Sequence, residues 1–159
     1  MRNNCFDEFN DSAMKDVIIS ISGVQDFPIS NNEPIELITE GKYRYKDGIA
    51  KISYCESELT GLDGTTTSFT LMPHEVVLRR TGSENSQMVF HEGKKSTFLY
   101  ASPDGSSTVG LDTHRIHSTL GPDGGDMEID YLLDYNQAFL GRNKFKISVR
   151  ERRDSGENV

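Results

Sequence analysis

The chain has 159 residues, 35% of them hydrophobic and 26% charged, which is the size and composition of one soluble domain with a single core. Its formal net charge of -8, with a pI near 5.0, repels polyphosphates and anionic surfaces at long range, so neither nucleic acid nor a membrane is an expected partner. No stretch approaches the roughly 20 apolar residues of a membrane-spanning helix, and residues 1–15 read as a flexible acidic leader without the basic and apolar regions of a secretory signal.

From residue 16 onward the chain alternates apolar and polar residues in short runs. Val17, Ile19 and Ile21 open the pattern, and Pro28 with Asn31-Asn32 closes the first strand with turn chemistry. Ile35, Leu37, Tyr43 and Tyr45 share odd positions while Glu36, Glu40, Lys42, Arg44 and Lys46 take the even ones. This predicts a long second strand with a bend or bulge at Gly41. Asp47-Gly48 supplies the positive-φ residues of a two-residue hairpin. Ala50, Ile52, Tyr54 and Glu56 share a face of the third strand, and the β-branched run Thr65–Leu71 favours a fourth.

Val76, Leu78 and Arg80 form the next in-phase set, then Met88 and Phe90, then a hairpin signal at Glu92-Gly93, then Phe98 and Tyr100. Pro103-Asp104-Gly105 separates these from Val109, Leu111 and Thr113. After the turn Gly121–Gly125 comes the clearest alternation, Met127, Ile129, Tyr131, Leu133 and Tyr135 against Glu128, Asp130 and Asp134. Asn136–Leu140 could form one helical turn, and Phe145, Ile147 and Val149 make the last strand. Residues 152–159 read as a solvated tail. Sequential hairpins of this kind protect their edges by closing, so residues 16–151 are expected to form one all-β, antiparallel up-and-down barrel of about 8–10 strands. A two-sheet sandwich has the same periodicity and is the alternative.

Several short motifs follow in order: Tyr54-Cys55-Glu56, Arg80-Thr81-Gly82, Met88-Val89-Phe90, Tyr100 with Pro103-Asp104-Gly105, Leu111-Asp112-Thr113, Ile129-Asp130-Tyr131-Leu132-Leu133, and Asn143. By their order and spacing the chain resembles the YwiB-like family of bacterial proteins, over roughly residues 16–151. The resemblance implies a calycin-like, lipocalin-resembling barrel and a family of unknown function. Ser102-Pro103 departs from the family's Thr-Pro, and the chain lacks the tryptophan of the lipocalin Gly-x-Trp signature.

Phase selects the candidate site. Glu56 and Arg80 fall in step with the apolar residues of their strands, so both point inward, where a charge is costly unless paired. They are therefore expected near one another or near the inward groups Tyr54, Thr67, Tyr100, Thr113 and Tyr131. Tyr54, Glu56, Arg80, Phe90, Tyr100, Thr113 and Tyr131 are the candidate lining of an interior ligand site, with Arg80 binding an anion and Glu56 balancing it. The alternative for the two charges is a structural ion pair.

Other chemistry finds less support. His114 and His117, three apart in a strand, should face opposite sides, and no metal or cofactor is expected. Cys5 and Cys55 make a poor disulfide framework, which points to quiet thiols in a reducing compartment, the cytoplasm. Glu128, Asp130 and Asp134 lie on the wet face, where they serve solubility. There is no Gly-x-Ser-x-Gly elbow and no phosphate loop. The expected function is a non-enzymatic barrel binding one small, partly apolar or anionic ligand. The rival is a filled-core barrel, monomer or homodimer, that acts as a protein–protein interaction module. A third reading, an enzyme with Glu56 as base, uses the same residues and gains no further support.

Overall fold

Alternation of this kind has to bury one face of every strand, and the chain does so by rolling a single sheet. A computed structural model describes residues 14–26, 35–57, 63–83, 85–102, 105–135 and 138–152. The expected leader and tail fall mostly outside these residues. The described strands are β1 (Lys15–Asp26), β2 (Ile35–Lys46), β3 (Ile49–Cys55), β4 (Thr65–Met72), β5 (Glu75–Gly82), β6 (Ser86–His91), β7 (Lys95–Ser102), β8 (Gly105–Ser118), β9 (Gly124–Tyr135) and β10 (Ala138–Glu151). They form one antiparallel sheet in the order β6-β5-β4-β3-β2-β1-β10-β9-β8-β7. No helix among the described residues is long and apolar enough to cross a membrane.

First and last strands pair along most of their length, from Val17 opposite Glu151 to Asp26 opposite Arg142. The open seam therefore falls mid-chain, between β6 and β7. The tight turn expected at Glu92-Gly93 is present, with Gly93 at φ 78°, but the two strands it joins form no ladder with each other. The turn's backbone groups are used elsewhere. Glu92 N–H donates to the His74 carbonyl, Gly93 N–H to the Thr113 carbonyl, and Thr113 N–H to the Lys94 carbonyl. Across the seam Ser96 Oγ donates to the Val89 carbonyl at 2.7 Å, and Phe90 meets Tyr131 of β9 edge to face at 5.1 Å. The barrel is thus nearly closed.

The inward phase of each strand supplies the core: Val17, Ile19, Ile52, Val76, Leu111, Met127, Ile129, Ile147 and Val149 are all buried. Each such side chain stabilises the fold by about 1.5–3 kcal/mol through transfer from water. β4 is buried on both faces, since the outward Thr66 and Ser68 are covered as well as the inward Thr65, Thr67 and Phe69.

Local chemistry matches the sequence at the β2–β3 turn, where Asp47 and Gly48 take φ 55° and 79°. Two expectations are corrected. Ala138–Leu140 begin β10 rather than a helical turn, because they continue the pairing with β9 up to a register shift between Phe139 and Gly141. Gly41 carries no bulge against β1, whose ladder runs through it unbroken, opposite Val17, while the β2–β3 ladder ends next to it, at Lys42 opposite Ser53. Its constraint is space, because a Cβ there would lie 2.5 Å from the Ser53 carbonyl oxygen.

Candidate functional site

Three adjacent strands bring the expected polar residues into one row. Tyr54 of β3 stands opposite Thr67 of β4, and Thr67 opposite Arg80 of β5. Glu56 follows β3 directly, its N–H donating to the Thr65 carbonyl at 2.8 Å, which keeps its side chain in the inward phase. Tyr54 and Glu56 are buried and Thr67 is fully so. Thr67 Oγ1 donates to Glu56 Oε2 at 2.5 Å, and the Tyr54 phenol also hydrogen-bonds both groups. Burial first, and the Glu56 charge second, push the Tyr54 phenol well above its ordinary value; Arg80 acts on it in the opposite sense. Tyr54 is therefore a neutral donor at any physiological pH.

The two charges of inward phase, Glu56 and Arg80, share this cluster. No ion pair among the described residues joins them; Thr67 of β4 lies between their strands. Arg80 is half-buried, and its Nε is enclosed with no hydrogen-bond partner. A simple structural ion pair does not describe the arrangement.

A facing row comes from β8, β9 and β10, where Thr113 stands opposite Tyr131 and Tyr131 opposite Asn143. Thr113 is fully buried with no partner for its hydroxyl. Burial alone pushes the Tyr131 phenol up. Phe90, buried, packs its ring on Tyr131. Tyr100 lies on β7, but its side chain is outside the described residues. Asn143 was missed as a site residue, although it falls in phase with Phe145, Ile147 and Val149 and so had to point inward; it is buried with both amide atoms unpartnered.

The remaining candidates sort by phase, with two exceptions. A register shift between Thr113 and Arg115 inserts His114 as an extra residue, so His114 and His117 are both exposed instead of facing opposite sides. Among the described residues no group of three or more His, Cys, Asp or Glu could hold an ion. The second exception is Cys55. It is disulfide-bonded rather than a free thiol, and the chain's one other cysteine, Cys5, lies outside the described residues. The wet-face carboxylates Asp134 and Asp130 pair with Lys95 at 2.7 Å and Arg142 at 3.6 Å, and Asp126 at the start of β9 pairs with Arg150 at 3.5 Å. At the barrel end away from Thr67, a cleft of about 300 Å³ opens beside Tyr45, Ala50, Leu71, Ile116 and Leu120.

Comparison with known proteins settles the family. The model of a domain of unknown function, DUF1934, matches residues 19–147. The chain belongs to that family. Among solved structures, the ywiB protein from Bacillus subtilis is similar at a TM-score of 0.75 and 21% identity, over 93% of this chain and 99% of that one. The likeness shows the shared barrel fold and bears out the resemblance read from the ordered motifs. No curated protein matches the sequence. Family membership thus fixes the architecture of this DUF1934 barrel and leaves its chemistry to the residues themselves.

Proposed function

We propose that this barrel is a non-enzymatic binding protein that takes one small, partly apolar or anionic molecule into its interior, at the end lined by Tyr54, Glu56, Arg80, Thr113 and Tyr131. The observation that carries the reading is the Arg80 Nε–H, which is buried and unpartnered beside a cluster whose other members satisfy one another. Leaving such a donor unmet costs about 1–3 kcal/mol, more when the group is charged. A ligand oxygen would recover that energy on binding. Phe90 and Tyr131 supply an apolar wall for the rest of the molecule.

Native mass spectrometry on protein purified from its own host tests this. The expected spectrum carries one small adduct per chain, diminished in Arg80→Leu. A bare chain mass under gentle ionisation, with the fold intact, would sink the proposal.

A filled-core interaction module is the second reading, favoured by a different observation. Phe69 stacks on Phe145 through the barrel interior, and two large apolar side chains, Ile38 and Leu99, are 73% and 74% exposed on the outside. Sedimentation of the purified chain with and without Leu99→Ser separates it from the first, since only this reading expects association to depend on Leu99.

A further inference from the structure

We infer that Asn143 and Thr113 form the recognition edge of the interior site, and that the ligand they fit is an uncharged molecule presenting a donor and an acceptor side by side, as an amide or lactam does. This rests on the binding reading above and narrows its ligand class.

The placement follows from the sheet. β4 and β10 are separated by four antiparallel ladders, through β3, β2 and β1, so they run in the same direction. Phe69 of β4 touches Phe145 of β10 across the interior, ring centroids 5.6 Å apart. One inward step back along each strand brings the chain to Thr67 and to Asn143. Both therefore lie beyond the aromatic stack at the same end of the barrel. The row Tyr54–Thr67–Arg80 and the row Thr113–Tyr131–Asn143 therefore belong to opposite walls of that end of the barrel.

The two walls differ in chemistry. On the first, Thr67, Tyr54 and Glu56 bond one another. On the second, Asn143 is 3% exposed with neither Nδ2 nor Oδ1 bonded, and the Thr113 hydroxyl is buried and equally unmet. Buried amides are rarely left so, because each unmet atom keeps the full cost of leaving water. A carboxamide offers an N–H donor and a carbonyl acceptor in one plane, and its complement is an acceptor beside a donor. Charge points the same way: Glu56 and Arg80 already balance, so an anion would leave this enclosed end with an uncompensated negative charge, whereas a neutral amide adds none. Arg80 Nε–H is then the second donor to the ligand's carbonyl.

Three five-membered-ring probes separate the possibilities: 2-pyrrolidinone with both donor and acceptor, cyclopentanone with an acceptor only, and cyclopentanecarboxylate with a charge. Each is titrated into the isotope-labelled full chain, with the Asn143 side-chain amide and the Thr113 resonances followed by NMR. The expected result is saturable shifts of these signals with 2-pyrrolidinone, roughly tenfold weaker binding of cyclopentanone for the one hydrogen bond lost, and weaker binding of the carboxylate. Asn143→Leu should abolish the lactam preference. Tightest binding by cyclopentanecarboxylate, with Asn143→Leu inert, overturns this inference and leaves the binding reading standing. If no probe moves any interior resonance, both fall. The order of the probes on the unaltered protein decides the matter even if the variant does not fold.

Discussion

Phe69 and Phe145 stack with their ring centroids 5.6 Å apart, though their strands are separated in the sheet by β3, β2 and β1. Such a contact exists only when the sheet has curled far enough for opposite walls to meet. Phe69 is 2% exposed, so Phe69→Ala should cost about 3–5 kcal/mol in urea unfolding. The half-buried Phe145 should cost less. A double-mutant cycle should return a coupling of about 0.5–1.5 kcal/mol, the amount ascribed to a stacked aromatic pair. Strict additivity would mean that the rings do not touch in solution.

Stability should fall in alkali, and the sign follows from where the tyrosines hold their protons. Burial raises the Tyr43 phenol from 10.0 to about 12, with Tyr54 and Tyr131 raised as well. Above pH 10 the unfolded chain loses these protons while the folded one retains them. Stability is therefore complete below pH 10 and declines above it, by about 1.4 kcal/mol per pH unit for each phenol. Tyr43 Oη also donates to the Gly121 carbonyl at 2.6 Å. Tyr43→Phe should cost about 0.5–1.5 kcal/mol at neutral pH and flatten the alkaline decline, read from urea midpoints across the pH series.

Glu92 ties the seam turn to β8. Its Oε2 accepts the Ile116 N–H at 2.9 Å, while Oε1 meets His74 Nδ1 at 3.2 Å. These contacts, the backbone N–H foremost, hold the Glu92 carboxyl below its ordinary value. Its contribution is thus present above the unfolded-state pKa and lost as pH falls through the folded one. Hydrogen exchange should show Ile116 losing protection in acid, and Glu92→Gln should weaken that protection at neutral pH while making little further difference once the wild-type carboxyl is protonated. An unchanged Ile116 amide in the variant would refute the tie.

Asn143→Leu should stabilise the ligand-free protein. The near-isosteric change removes two buried polar atoms that have no partners and leaves the volume filled, for an expected gain of about 1–3 kcal/mol in the urea midpoint at constant m-value. A polar-to-apolar change that stabilises a fold while weakening binding marks a residue kept for recognition. A loss of stability would show that the amide is bonded in solution.

The period of two in the sequence carries strand number, direction and inward face, because each of these depends only on neighbours along the chain. From it came the barrel, the inward Tyr54, Glu56, Arg80, Phe90, Thr113 and Tyr131, and the wet-face carboxylates. Asn143 obeyed the same rule and could have been found by it. What phase could not supply was anything that depends on partners far apart in the chain. The seam sits between β6 and β7 because Thr113 and Ile116 of β8 capture the turn at Glu92 and Gly93. The extra residue His114 reverses the phase within β8, which no alternation count anticipates. Glu56 and Arg80 share a cluster without an ion pair because cross-strand register places β4, with Thr67, between their strands. Outside the bulge in β8, sequence thus determined which side chains face the interior; closure of the sheet alone decided which of them meet, since that distance is set by curvature and register and not by any local preference.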